Sequence, residues 1–528
     1  MLYGVVQAEL ETFLARAHAR GRIVPRFVER ELRGFLRCGI LAHGFVRVHC
    51  DDGGLDRVVA FSCKGRGFCP SCGGRRMADT AAYLVDRVLP EVPVRQWVLS
   101  LPFGLRYRLA YDAPLTRAVL GVFVRTVFAS LRRRARRKWG VARGQCGAVT
   151  FVQRFGDALN LNVHFHSLLF DGVYERGPDG AVRFHPLPPP EDTEVERVVG
   201  QVARRIARLL ERRGLGPEAD PSEVDPLTQD EPLLAQLYGA SVAGRIATGR
   251  RAGQRLLRVG DCIDPDDLPA FEGERCASVT GVSLHANVAV PARDRRRLER
   301  LCRYVARPPV ATERLSRMDD ERLLYRLKHR WRDGTTHVVF EPQELVEKLA
   351  ALVPPPRFHL VRDHGILGPC ASERDRVVPG AREPHEPARP PAATPPLASA
   401  AEPPRAIETR GGARRELPDR CGRPAPTNSA GGPAPGTSCE PGELSQELDE
   451  QALRPRRLAW AELLRRVFAV DVLECPRCGG RMRLLAAIHP PDVTQAILDC
   501  LDLPSRAPPT APAVADAEEW SGDFDATL

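Results

Sequence analysis

The 528-residue sequence has no uninterrupted apolar run of about 18 residues, the length a bilayer-crossing helix needs, so no membrane span is expected. An apolar leader is missing as well. Met1 is followed by an amphipathic stretch with Glu9, Glu11 and Arg16, which argues against secretion. No segment repeats itself, which excludes a solenoid or propeller. Between about 376 and 450 large apolar residues are scarce, while Pro, Ala, Gly, Glu and Arg dominate. That composition cannot bury enough surface to offset chain entropy, so a disordered linker is expected there. The fifteen cysteines are odd in number and fall partly in C-x-x-C pairs, so metal binding in a reducing cytoplasm is expected instead of disulfides.

Acidic excess is also absent. Lys plus Arg total 77 against 67 for Asp plus Glu, a formal charge of +10, which favours polyanionic partners. The excess is clustered: Arg132, Arg133, Arg134, Arg136, Arg137 and Lys138 form one run, and Arg293 to Arg307 carries a second set. Runs this dense repel themselves unless phosphates or carboxylates neutralise them. The length implies two or three domains. A helical, Cys-rich zone covers 1–85, and 86–375 is the main folded portion. The linker at 376–450 is followed by a helix and cysteine knuckle over 451–505, and 506–528 reads as an unstructured tail. Within the main portion, strand-like runs (Val94 to Leu101, Ala148 to Phe155, Leu161 to Phe170, Val282 to Val290, Thr335 to Phe340) alternate with helical ones. The helical runs are Ala113 to Lys138, Val195 to Arg213, Asp294 to Val305 and Pro342 to Leu352, and the whole is an α+β pattern.

In the run Leu161-Asn162-Val163-His164-Phe165-His166, alternation puts Leu161, Val163 and Phe165 on one face of a strand. Asn162, His164 and His166 take the other face, where two imidazoles one residue apart can share a metal ion. If the turn after Phe155 takes four residues, Gln153 pairs with Asn162 and projects beside the histidines as a third ligand. A slip of one residue turns it away. Downstream, Leu298, Leu301 and Val305 have helical spacing, and Pro308 and Pro309 end that helix. Arg300 and Arg307, four before and three after Tyr304, lie on the tyrosine's face, where guanidinium groups can hold a phosphate against the phenol.

Near the N-terminus, Cys69-Pro-Ser-Cys72-Gly-Gly is a zinc knuckle, and Cys50 and Cys63 upstream complete an expected four-thiolate structural site. The C-terminal Cys475-Pro-Arg-Cys478-Gly-Gly knuckle has no matching pair, with His489 and Cys500 as nearby candidates. Cys146, Cys262, Cys276, Cys302, Cys370, Cys421 and Cys439 read as core or linker cysteines.

A His-hydrophobe-His strand followed by a tyrosine helix resembles the HUH endonucleases. The phrases Gln153-Arg-Phe-Gly, Leu159-Asn-Leu-Asn-Val-His-Phe-His, Gly281-Val-Ser-Leu-His-Ala-Asn, Leu301-Cys-Arg-Tyr-Val-Ala-Arg-Pro-Pro and Trp331-Arg-Asp-Gly-Thr-Thr-His resemble rolling-circle transposases of insertion sequences. The phrases span about 30–370, and the C-terminal module resembles that of the common-region branch. The resemblance implies an HUH-like antiparallel sheet flanked by helices, an N-terminal zinc-binding domain, His164 and His166 on Mg2+ or Mn2+, structural Zn2+, and Tyr304 as nucleophile. Arg154, Arg300, Arg303 and Arg307 are expected to hold phosphates. Arg300 stands where two-tyrosine relatives carry their other tyrosine, which implies a single-tyrosine type. Relatives also have a cysteine pair where this chain reads Cys50-Asp-Asp-Gly53, so Cys63 is expected to complete the zinc set. The implied activity is nicking and rejoining of single-stranded or hairpin DNA at element ends through a 5′-phosphotyrosine, in the nucleoid, with self-association left open. The alternatives are a plasmid replication initiator or relaxase with the same chemistry, a non-catalytic zinc-ribbon DNA-binding protein, and a zinc hydrolase for which only Asp157 and Asp171 offer a base.

Overall fold

In the computed structural model, residues 1–216, 225–261, 273–379, 460–468 and 471–514 are described. The chain divides into two units, one of Met1–Arg382 with Arg457–Leu528 and the other of Glu383–Arg456. The second unit lies outside the described residues, as do most of the expected linker, Cys262, Cys421 and Cys439.

The first unit is a mixed α+β structure with antiparallel sheets. The strands that build the site are β1 (Phe45–Cys50), β2 (Leu55–Ala60), β3 (Val94–Ser100), β4 (Gly147–Phe155), β5 (Leu161–Phe170), β6 (Cys276–Val279), β7 (Val282–His285), β8 (Ala289–Val290), β9 (Val361–Gly365) and β10 (Arg483–Ile488). The helices are α1 (Leu2–Ala19), α2 (Arg26–Arg37), α3 (Pro70–Tyr83), α4 (Ala113–Trp139), α5 (Asp192–Glu211), α6 (Arg295–Val305), α7 (Pro342–Leu352) and α8 (Trp460–Phe468). A seven-stranded sheet runs in the order β9-β4-β5-β3-β7-β6, with β8 also on β3. A separate four-stranded sheet joins Leu257–Gly260, Leu315–Arg317, Leu323–Arg326 and Thr335–Phe340.

Residue alternation divides the large sheet into two faces. Leu161, Val163 and Phe165 of β5 pack with Trp97 and Leu99 into the main core, which takes in the apolar sides of α4, α5 and α7. Leu168, Phe170, Val149 and Phe151 point the other way, and against them lie Leu298, Leu301, Cys302 and Val305 of α6. The histidines and α6 therefore share one side of the sheet. The apolar part of α4 is long enough to cross a bilayer, yet 67% of that stretch is buried within the protein, as befits a core helix. The expected strand Val282 to Val290 is split into β7 and β8. Between them the Ala286 carbonyl turns in to accept from Arg95, which also forms a buried pair with Asp171 at 2.8 Å.

At the N-terminus β1 and β2 form a hairpin, and β10 from the far end of the chain adds to β1, making a sheet β10-β1-β2. The C-terminal knuckle is thus docked on the N-terminal domain. The tail expected to be unstructured from 506 is ordered as far as 514. Gln7 donates to the Pro509 carbonyl at 2.5 Å, and the Ala511 and Val514 amides bond to Gln7 and Thr12 of α1, each at 3.1 Å. Residues 515–528 lie outside the described residues.

Candidate catalytic and metal sites

On β5, His164 and His166 turn their Nε2 atoms toward each other at 3.0 Å. The His164 Nδ1 donates to the Asn162 carbonyl at 2.9 Å, and the His166 Nδ1 meets the Gln96 amide at 2.6 Å. Gln96 lies on β3 two residues from Val98, the cross-strand partner of His166, so both share its face. Burial drives both imidazoles down, His164 to about 4 and His166 further below its ordinary value, with Arg307 among the cations that reinforce the shift. Both rings are therefore neutral at physiological pH, the form that ligates metal.

Gln153 sits directly across from His164. The expected register put it opposite Asn162. The turn takes five residues instead of four, and a bulge between Gln153 and Phe155 adds one more, so the pairing shifts by two residues at Gln153, and an even shift preserves the face. Its Nε2 donates to the Val305 carbonyl at 2.7 Å, at the end of the tyrosine helix, and its buried Oε1 has no partner. The buried Asn162 Oδ1 is likewise unpartnered. Two neutral imidazoles beside two buried, unbonded amide oxygens form a donor set that fits a divalent cation, because such oxygens are costly to bury unbonded.

Tyr304, 37% exposed, packs edge-on against His166, with ring centroids 6.1 Å apart at 85°. Two cations cover its ring: the Arg307 guanidinium at 4.4 Å and the Lys328 ammonium at 4.2 Å. Of the four arginines expected to hold phosphates, only Arg307 is seen at the tyrosine ring. Arg303 is engaged with Glu299 at 2.6 Å, and Arg300 is exposed on the helix. Arg154 is a correction. It is 4% exposed, donates to the Ala110 carbonyl at 2.6 Å and to Tyr238 at 3.2 Å, and lies over Phe358. Alternation explains it, since a residue beside site-facing Gln153 must point into the opposite core. The first basic run is likewise largely structural in its N-terminal half: Arg133 pairs with Glu194 at 2.8 Å and Arg132 donates to the Gly144 carbonyl at 3.1 Å.

Sequence reading missed Gln96, Lys328 and His285. His285 stands on β7 opposite Val98, on the face of His166, and it falls within one of the recognised phrases. Gln96 and Lys328 carry no motif. Asp171, one of the two carboxylates a zinc hydrolase reading could use, is locked in its pair with Arg95.

The zinc ligands differ from expectation. Cys38, Cys63, Cys69 and Cys72 form one cluster, with sulfurs all within 4.8 Å of one another and three pairs at 3.4 to 3.7 Å, and Cys50 is not in it. The β1–β2 hairpin is the reason. Cys38 precedes it and Cys63 follows it, so both stand at its open end, whereas Cys50 ends β1 at the tip, roughly 17 Å away at about 3.3 Å per residue. The Cys72 thiol is driven low by hydrogen bonds from Cys38, Cys63 and Cys69, while Cys63 and Cys69 are driven up. Cys38 is lowered as well, to about 7, so two thiolates form readily and the other two are costly, a balance that a dication reverses. Cys50 instead joins Cys475 and Cys478. His489 stacks on Phe61 at 4.5 Å and Cys500 is exposed, so neither joins that knuckle.

The family model described as "Putative transposase" matches residues 147–375, and the one described as "Transposase zinc-binding domain" matches residues 5–101. The chain thus carries matches to both the transposase and the zinc-binding domain of transposases. The two matches cover most of the described chain, including β4, β5, α6 and all four cysteines of the first cluster. DNA is accordingly the transposase's partner, and cleavage and transfer of DNA strands is the class of its activity. Structural zinc belongs to its N-terminal domain. No curated protein and no solved structure matches the chain.

Proposed function

We propose that this transposase nicks and rejoins single-stranded DNA through a 5′-phosphotyrosine at Tyr304, in rolling-circle transposition. The reading rests above all on the contact between Tyr304 and His166, which joins a phenol, two neutral imidazoles and two cations in one partly open site. His164, His166 and Gln153 hold Mg2+ or Mn2+. The bound ion polarises the scissile phosphate. Arg307 and Lys328 draw the phosphate's charge over the tyrosine ring, and Gln153, through Val305, fixes the end of the nucleophile helix relative to the histidines.

In the reaction the phenol gives up its proton and its oxygen bonds to phosphorus. The bond to the 3′ oxygen breaks, and that oxygen leaves as a protonated hydroxyl. A free phenol titrates near about 10, so phenolate at neutral pH costs roughly 4 kcal/mol in water. The phosphotyrosine conserves the bond energy, so attack by another 3′-hydroxyl restores the backbone without ATP. With Arg300 in place of a second tyrosine, one subunit forms one covalent link at a time. Single strands suit the site because they leave the backbone open to a basic groove.

The experiment mixes the protein with labelled single-stranded oligonucleotides from the element's ends and magnesium or manganese, followed by a denaturing gel. A slow-migrating covalent species is expected, absent with EDTA and absent with Tyr304→Phe. Undiminished nicking by Tyr304→Phe overturns the proposal.

A further inference from the structure

The second cysteine cluster joins residues more than 420 positions apart. Cys50 ends β1 at the hairpin tip, and Cys475 and Cys478 belong to the loop that leads into β10, the strand paired with β1. Their three sulfurs lie within 4.8 Å of one another, with Cys50 and Cys478 at 3.4 Å. The surrounding backbone already has the form of two facing knuckles. The Gly53 amide donates to the Cys50 sulfur and the Gly480 amide to the Cys478 sulfur, both at 3.3 Å. Such N–H···S bonds stabilise thiolate charge, and the two turns are clamped together by the ion pair of Arg483 with Asp51 at 2.9 Å.

A tetrahedral zinc ion needs four donors at about 2.3 Å for sulfur or about 2.1 Å for oxygen. Three sulfurs are at hand, and the fourth corner is where Gly53 stands. A Cβ built on Gly53 would point into the sulfurs, 2.8 Å from Cys475, 3.1 Å from Cys478 and 3.4 Å from Cys50. Gly53 thus holds the place of a fourth ligand but has no side chain to supply it. The nearby oxygen donor is Asp52, whose carboxylate lies 3.1 Å from where a Cβ on Gly480 would sit.

We propose that Cys50, Cys475 and Cys478 bind a second zinc ion with three thiolates and one oxygen donor, and that this ion fastens the C-terminal module to the N-terminal domain. The first cluster, with four thiolates, is closed. The second keeps one position for oxygen, supplied by water or by Asp52.

Zinc content is measured on the full-length chain carrying His164→Ala and His166→Ala, so that only thiol sites count, and each form is also examined after exchange to cobalt. Two equivalents are expected, with sulfur–cobalt charge-transfer intensity corresponding to seven thiolates, four from one cluster and three from the other. Cys50→Ser and Cys475→Ser should each remove the same single equivalent, although they lie at opposite ends of the chain. Retention of two equivalents by either variant overturns the shared site. Cys478→His, which still supplies a ligand, should keep both equivalents and guards against simple misfolding; its loss of an equivalent also counts against the site. Gly53→Cys should add one thiolate to the cobalt spectrum and slow zinc release to a chelator at least about tenfold, as a fourth thiolate replaces a weaker donor. An unchanged spectrum overturns the open position. Faster release from Asp52→Asn identifies the carboxylate as the oxygen donor, and an unchanged rate identifies water.

Discussion

Gln96 holds His166 from outside the motif. Its amide meets His166 at Nδ1, and turned over, the same amide accepts from Nδ1–H and leaves Nε2 free to ligate. Gln96→Leu is expected to weaken Mn2+ binding by about 10- to 100-fold with little change in melting temperature, measured by titration calorimetry. Arg154 and Arg307 separate structural from functional cations. Arg154→Met should leave the Ala110 carbonyl and the Tyr238 hydroxyl without their donor, lowering stability in urea by about 1–3 kcal/mol while single-strand affinity holds. Arg307→Ala should do the reverse, reducing cleavage with the urea midpoint unchanged. At this scale the pattern Leu161 to His166 made it legible that both histidines share one strand face, because strand period is simple geometry. The fate of Arg154 was legible from the same alternation. Lys328 was not, since it comes from the connection after the strand Leu323–Arg326 and no local pattern announces a contact made in three dimensions.

Apart from Val282 to Val290, which is split in two, the elements seen in the sequence recur with shifts of a few residues at their ends. Leu161 to Phe170, Thr335 to Phe340 and Pro342 to Leu352 are reproduced as read, because apolar period and flanking proline or turn residues mark them strongly. Pairing between elements was harder to see. The bulge in β4–β5 and the hairpin that removes Cys50 from the first cluster depend on which strand ends meet. Helix α3 shows how tightly two elements can be joined. It begins at the Cys69–Cys72 knuckle and packs on α6, and a Cβ on Gly73 would fall 2.6 Å from the Pro308 side chain. Gly73→Ala should therefore push the knuckle from the end of the tyrosine helix, cutting cleavage while zinc content stays unchanged. At the sheet edge, burial holds His364 of β9 down at about 4, and its buried Nε2 has no partner. The unfolded chain takes up that proton near about 6.5 and the folded one near 4, so stability falls as pH drops through this window, by up to about 3 kcal/mol. His364→Leu should flatten that part of the acid limb in pH-dependent urea unfolding.

Across the whole first unit, the C-terminus closes on the N-terminus. β10 extends the β1 edge, Arg466 of α8 pairs with Glu299 of the tyrosine helix at 2.8 Å, and residues 509–514 lie on α1. The sequence reads as a string of zones, and this closure was invisible in it because no local signal encodes a contact across the linker. The chemistry still depends on one juxtaposition, a tyrosine on α6 beside two histidines on β5. The direct measurement is protease digestion of the covalent protein–DNA complex, followed by mass spectrometry of the peptide that retains nucleotide. A 5′-linked nucleotide on the peptide containing Tyr304, with the modification on that residue, is the predicted result. A nucleotide on any other tyrosine, or none on protein while cleavage proceeds, contradicts the account.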